Sequence, residues 1–370
     1  MFKLINRIKK LAKLSELSFQ QKPAIELKLS QIETNSELLK RISASLDYQT
    51  VEISNLTSRI NAMEEQLLRQ FSASQQNILA RRFRRDYLPN DSAAIHKVLL
   101  DLWKVDNTSK IGFQEILASG FRVFSQNDED GMILRIFSHI GILNQCVVEI
   151  GSNCSNSEIG IPENLSANLI VNHGWHGVII DLDQSECEKM QYFFARDFAT
   201  RHFHSTIEGV HGYFSPLIIQ QAITPDNVNT VLQNVCRESE PDLMIFDIDG
   251  GDYDVVENMA AYHPRVLVVE FEKRFRDRHS VVQFDRGQFS KYWAQSGTVS
   301  LPAWEKMLSG KGYSLCAIGT CGFNAFFIRS DIAAEKFYPL SSSKAFDFHP
   351  ILSNVSENFW LEPDETWRRV

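Results

Sequence analysis

The chain has 370 residues, 44% apolar and 23% charged, which is the composition of a globular protein with a substantial core and excludes a disordered or fibrous chain. Its formal charge of −8 is unevenly divided: residues 1–87 carry +6 and the remaining 283 carry −14, so an anionic partner suits only the leading arm and the body is a poor nucleic-acid binder. No apolar run approaches the ~20 residues of a spanning helix, residues 1–17 lack a signal-peptide stretch, and six scattered cysteines without a CxxC pair read as reduced thiols of a cytoplasmic protein.

In chain order, residues 1–20 are predicted to form a basic amphipathic helix. Leu4, Ile5, Ile8, Leu11 and Ala12 share one face, and most of the lysines lie opposite. Such a helix rests on anionic lipid or packs against a partner, so residues 2–17 are a candidate for peripheral contact at the inner membrane face. A heptad run follows over 24–86. Positions 25, 32, 39, 46, 53, 60 and 67 are all Ile or Leu, while only Ile42, Leu56 and Met63 are apolar among the d positions. No Pro or Gly lies between Ala24 and Pro89. The pattern predicts a coiled-coil rod of roughly 70 Å that self-associates as a dimer or trimer. Arg81, Arg82, Arg84 and Arg85 make a basic junction, and Tyr87 to Ser92 reads as the linker.

Over 92–345, short β-branched runs alternate with helical patterns. Strands are predicted at 146–150, 177–181, about 205–210, 242–247, 265–271, 313–318 and 323–329. Helices are predicted at 92–104, 128–141, about 163–173, 184–200, 226–236, 252–261 and 301–311, with 346–370 left as a tail. The first five strands are far enough apart for crossovers and should lie parallel in one buried sheet. Only Gly319 to Gly322 separates the last two, so they must form an antiparallel hairpin. A nicotinamide-binding Rossmann sheet has a parallel sixth strand, and the chain also lacks GxGxxG; both argue against an oxidoreductase.

In such sheets ligands bind outside the carboxyl ends of the strands. The first strand ends in Glu149-Ile-Gly151-Ser-Asn153, with Gly151 permitting a tight turn and Glu149 suited to an ammonium or ribose group. The second ends at Asp181, with Asp183 close behind, where a ribose diol would be gripped by charge-assisted hydrogen bonds. The fourth gives Asp247-Ile-Asp249-Gly-Gly-Asp252-Tyr-Asp254. Four acids in eight residues repel one another unless a sulfonium, a divalent metal or a proton offsets the charge. No ligand spacing demands a metal, and none is assigned. Glu270 and Glu272 end the fifth strand on one face. Asp249 or Glu270 is therefore the candidate general base, with His173, His176, His211 and His263 as alternatives. Trp293, Trp304, Phe289 and Tyr292 form a candidate sugar platform or ordinary core.

The words FSQNDEDG (124–131), VVEIGSN (147–153), ENLSANLIVNHGWHGVIIDLD (163–183), DLMIFDIDGGDYD (242–254), PRVLVVEFE (264–272) and KGYSLCAIGTCGFNAFFIR (311–329) occur in that order. Together they resemble class I S-adenosylmethionine-dependent methyltransferases of the FkbM-like group. The resemblance implies a Rossmann-like α/β fold: a mostly parallel seven-stranded sheet with a terminal antiparallel hairpin, here preceded by a long coiled-coil helix. It implies S-adenosylmethionine as cofactor, with contacts at Glu149, Gly151, Asn153, Asp181 and Asp247, and a lid word containing Gln126, Glu129 and Asp130. It also implies O-methylation of a sugar hydroxyl on a bacterial-type surface glycan or lipid-linked saccharide. Relatives carry a second glycine where this chain has Asn153-Cys154-Ser155. That difference keeps a second reading open, a non-catalytic coiled-coil scaffold with a degenerate methyltransferase domain.

Overall fold

The computed structural model describes residues 91–105, 109–152, 154, 161–196, 205–207, 210–212, 215–283 and 297–370, together with 23, 26–28, 30–46, 49–50 and 54. The chain divides into two compact units, Met1–Arg85 and Asp86–Val370. In the first, the described residues are helical. The Thr34 and Thr50 hydroxyls donate to the carbonyls of Ser30 and Leu46, four residues back. Leu27, Ile32, Leu38, Leu39, Ile42 and Leu46 lie exposed. The rod is thus helical where it is described, but a coiled coil is not established by one chain. The basic helix predicted at 2–17 lies outside the described residues. No described helix is long and apolar enough to cross a membrane.

The second unit is a mixed α/β domain. Its strands in chain order are β1 (Cys146–Ile150), β2 (His176–Asp181), β3 (Ser205–Ile207), β4 (Val210–Gly212), β5 (Leu217–Gln220), β6 (Leu243–Phe246), β7 (Val266–Glu270), β8 (Val281–Gln283), β9 (Tyr313–Ile318), β10 (Asn324–Arg329) and β11 (Trp367–Arg369). Seven of them form one sheet in the order β5-β2-β1-β6-β7-β10-β9. The pairs from β5 through β7 are parallel, while β10 runs antiparallel to both β7 and β9. β1 and β6 are buried at every residue. Burial on both faces is what continuous β-branched runs such as Val147-Val148 and Val266-Leu-Val-Val269 require, with helices covering each side.

At the amino edge of the sheet, Asp242 holds the strands in place. Its carboxylate accepts the backbone N–H groups of Leu143, Asn144 and Gln145. It also pairs with Arg265 at 2.5 Å, whose guanidinium donates to the carbonyls of Ile140 and Gly141. A buried carboxylate with this many donors fixes the starts of β1, β6 and β7 relative to one another.

Three features differ from the sequence reading. The strand expected at about 205–210 is split into β3 and β4, which among the described residues pair with each other; the sheet position beside β2 belongs to β5. Residues 346–370 are folded onto the body: Phe346 is buried, β11 pairs with β8, and Trp367 packs edge-on against Phe275 at 4.5 Å. Short helices at Phe113–Ala118, Ser330–Lys336 and Ser342–Phe348 complete the unit.

Candidate functional site

The carboxyl ends of β1, β2, β6 and β7 converge beside one sharp turn. Gly151, directly after β1, has φ +80°, and a Cβ there would lie 1.6 Å from the Asp247 carbonyl oxygen. Only glycine fits so close an approach. The turn is anchored from both neighbours: Gly151 N–H donates to the Ile180 carbonyl, and Asp247 N–H donates to the Ile150 carbonyl, each at 2.9 Å. Next along, Ser152 N–H donates to Asp181 Oδ2 at 2.9 Å, and the Asn164 amide donates to the Ser152 hydroxyl. Asn153 lies outside the described residues.

Asp181 is half-exposed. Its second oxygen accepts from Asp183 N–H, so each oxygen holds one backbone donor and keeps a further lone pair. Burial, the largest influence, raises its pKa, opposed by those two backbone N–H groups.

The Glu149 carboxylate is engaged by the chain's own backbone. It is buried, and its two oxygens accept from the backbone N–H groups of Leu165 and Ser166 at 2.9 and 3.1 Å, just ahead of the Ala167–His173 helix. Burial lifts its carboxyl to about 7. Asp130 is likewise committed to its own loop. One oxygen accepts from Val123, Phe124 and Ser125 N–H and from the Ser125 hydroxyl, and the other is buried without a hydrogen-bond partner. Glu129 accepts from the Asn324 side chain at 3.0 Å and Asp128 from the Thr320 hydroxyl, tying the 124–131 word to the β9–β10 hairpin. Gln126 is exposed on the same segment.

The strongest convergence is that of Asp247, Asp249 and Glu270. Their carboxylate oxygens lie within 4.8 Å of one another; Asp249 is exposed and the other two are half-exposed. Burial raises Asp247 and Glu270 well above the usual carboxylate range, and the surrounding acids push both further up. Asp249 is lifted to about 6 by partial burial, then by the charges of Asp252 and Asp181. The loop carrying them is unusual: Asp249, Gly250 and Gly251 have φ of +54°, +137° and +83°. Asp252 closes it, its oxygens accepting Ile248 and Gly250 N–H at 2.8 and 3.0 Å, with the Thr298 hydroxyl on one of them. Nothing in the acid-rich word distinguished this brace from the acids facing the cleft.

The other acids of these strands are engaged elsewhere. Glu272 is buried against Arg274 at 2.7 Å, and Asp254 pairs with Arg368. Trp304 is fully buried and donates from Nε1 to the Glu270 carbonyl, steadying the end of β7. Phe289, Tyr292 and Trp293 lie outside the described residues. His176 opens β2 and His263 precedes β7, both at the opposite edge from the carboxylates. His173 is bonded to His96 at 3.1 Å, and the His211 side chain lies outside the described set.

No family model matches the chain, and no curated protein matches it. Among the solved structures that match is one described as the citrinin polyketide synthase CMeT domain. Its identity is 9% and its TM-score 0.30, over 56% of this chain and 54% of that chain. The match spans about half of each chain and is too distant to bear on chemistry.

Proposed function

We propose that the chain is an S-adenosylmethionine-dependent methyltransferase acting on a saccharide hydroxyl, of the kind found in bacterial-type surface glycans. One observation carries the reading. The sheet order β5-β2-β1-β6-β7-β10-β9 with its antiparallel closing pair is the layout the sequence resemblance implies, and its carboxyl edge presents acids at the ends of β2, β6 and β7.

The donor set suits a cationic nucleoside. The charges acting most strongly on Asp247, Asp249 and Glu270 are all acidic, so an incoming positive charge relieves their repulsion. When bound, the cofactor supplies an electrophilic methyl carbon on a sulfonium. Asp181 would hold the ribose diol and Asp247 the sulfonium end. The protein's remaining work is to position the acceptor and remove one proton from its hydroxyl. Asp249 suits the role of base, because a carboxyl near 6 is ionised at neutral pH and still basic enough to accept a proton. Burial and the neighbouring acids raise the Glu270 carboxyl well above the usual range; it stands beside Asp249 and would hydrogen-bond to the acceptor.

The test is calorimetric titration of the full chain with S-adenosylhomocysteine beside an Asp181→Ala variant. Micromolar binding that is lost in the variant is the expected result. No binding to either chain overturns the reading and leaves the non-catalytic scaffold in its place.

A further inference from the structure

The C-terminal segment delivers one buried histidine to the loop that joins β9 and β10. His349 is fully buried, and its two ring nitrogens have opposite roles. Nδ1 accepts from the backbone N–H groups of Ile351 and Leu352 at 3.1 and 3.0 Å. Nε2 lies 3.1 Å from the Gly319 carbonyl oxygen, which can only accept. One neutral tautomer, with its proton on Nε2, satisfies all three contacts. Pro350 has no N–H of its own, so the turn presents the next two donors to Nδ1. Gly319 then begins a relay. Its carbonyl also accepts from Gly322 N–H at 2.9 Å, and its N–H donates to the Asn324 carbonyl at 2.8 Å. From the same loop, Thr320 bonds the Asp128 carboxylate through both its N–H and its hydroxyl. The Asn324 side chain bonds Glu129 at 3.0 Å, and Asn324 stands opposite Glu270 in the β7–β10 register. Glu129 in turn lies close enough for its charge to act on Asp247.

We propose that His349 is a positioning residue for the carboxylate cleft. By holding the Gly319 carbonyl it sets the β9–β10 loop, and the loop sets Asp128 and Glu129 beside the acids. The histidine is itself well seated for this task. Phe346 packs edge-on against Phe271 at 6.3 Å, the residue that follows Glu270. Leu352 lies against Gly322, where a Cβ would come within 2.9 Å of it. Lys273 holds the far side of the loop, donating to the Cys321 carbonyl at 2.6 Å. The loop is thus gripped from the end of β7 and from the C-terminal segment, and it carries the 124–131 segment with it. The proposal rests on the methyltransferase reading only in treating 124–131 as the lid of a cofactor cleft. The relay itself holds whatever the cleft binds.

The test compares His349→Asn with His349→Gln in the full chain. An Asn amide reaches the Nδ1 position and still accepts from Ile351 and Leu352. A Gln amide reaches the Nε2 position and still donates to Gly319. A histidine that only shapes its own turn is therefore replaced better by Asn, and one that positions the loop is replaced better by Gln. Hydrogen exchange read by mass spectrometry should run about tenfold faster over 319–324 and 124–131 in the Asn chain than in the parent. The Gln chain should match the parent there and loosen only over 349–354. Parent-like exchange of the Asn chain in either segment, or equal acceleration in both variants, overturns the proposal. If the Asn chain does not fold, Thr320→Val cuts the next link and should speed exchange in 124–131; no change there likewise overturns it. Exchange is read without ligand, so a parent chain that fails to bind S-adenosylhomocysteine counts against the methyltransferase reading alone. Where the parent does bind it, the Asn chain should bind more weakly than the Gln chain, and equal affinity overturns the positioning role.

Discussion

Asp249 is the residue whose chemistry depends most on its neighbours. Partial burial and the nearby Asp252 and Asp181 raise its carboxyl to about 6. A group raised in this way is an active base only above that value, so methyl transfer should rise with pH, reach half its plateau near pH 6, and stay level through neutrality. Asp249→Asn should lose the rising limb and roughly 10²–10⁴-fold in turnover. Asparagine is the informative substitution because it tolerates the left-handed φ of +54° that most side chains resist. The check is the rate of S-adenosylhomocysteine formation from pH 5 to 8 with a saccharide acceptor; an Asn variant with the parent profile removes Asp249 from the chemistry. That Asp181, Asp247, Asp249 and Glu270 gather at one edge was legible in the sequence, because acids ending buried parallel strands must emerge there. The roles of Glu149 and Asp252 were not. Glu149 meets Leu165 and Ser166 only because the chain folds back over β1, and Asp252 acts as a brace only because three successive residues before it take positive φ.

At the scale of elements, the Asp91–Val105 helix docks partly through a pair of histidines. His96 and His173 share a 3.1 Å hydrogen bond with rings stacked at 5.2 Å, which requires both to be neutral or only one to carry the extra proton. Burial pushes His173 down to about 3, with His96 adding to the effect, and burial also lowers His96. The unfolded chain, with histidines near 6.5, binds more protons between those values. The contribution of the pair is therefore complete above pH 6.5 and is lost as pH falls, at no more than about 1.4 kcal/mol per pH unit for each group. Urea denaturation at pH 7 and pH 5 should show a smaller drop in midpoint for His173→Gln than for the parent, and an equal drop in both would show that the pair does not couple to folding. The limits of sequence reading at this scale are also physical. β1, β2, β6 and β7 were legible because strands buried on both faces read as unbroken β-branched runs. β5 was not: it is a four-residue edge strand with only its middle pair half-buried, and Pro216 stands directly before it. Residues 346–370 carry no period at all and are held by Phe346, Trp360 and Trp367 against the body.

Over the whole molecule, the charge split visible in the sequence places the negative excess on the body, and the fold then concentrates part of it. Asp247 is raised by Asp249, Asp252, Glu149 and Glu129 in turn, after burial, and Glu270 by Asp247, Asp252, Asp249 and Glu272. The folded site therefore keeps its protons to a higher pH than isolated carboxylates would. A cation entering the cluster must expel some of them, whereas a neutral ligand of the same shape need not. S-adenosylmethionine and S-adenosylhomocysteine differ in this respect, a sulfonium against an uncharged thioether. Under the proposed function, affinity for S-adenosylmethionine should rise with pH, by up to about tenfold per pH unit for each proton released, while affinity for S-adenosylhomocysteine stays nearly flat. Calorimetry at pH 6.5 in two buffers of different ionisation enthalpy counts those protons directly. On the order of one proton should leave with the sulfonium and almost none with the thioether, and Asp247→Asn should narrow the difference. Equal release with both ligands would place the sulfonium away from the acids, and the charge of the cluster would then need another partner.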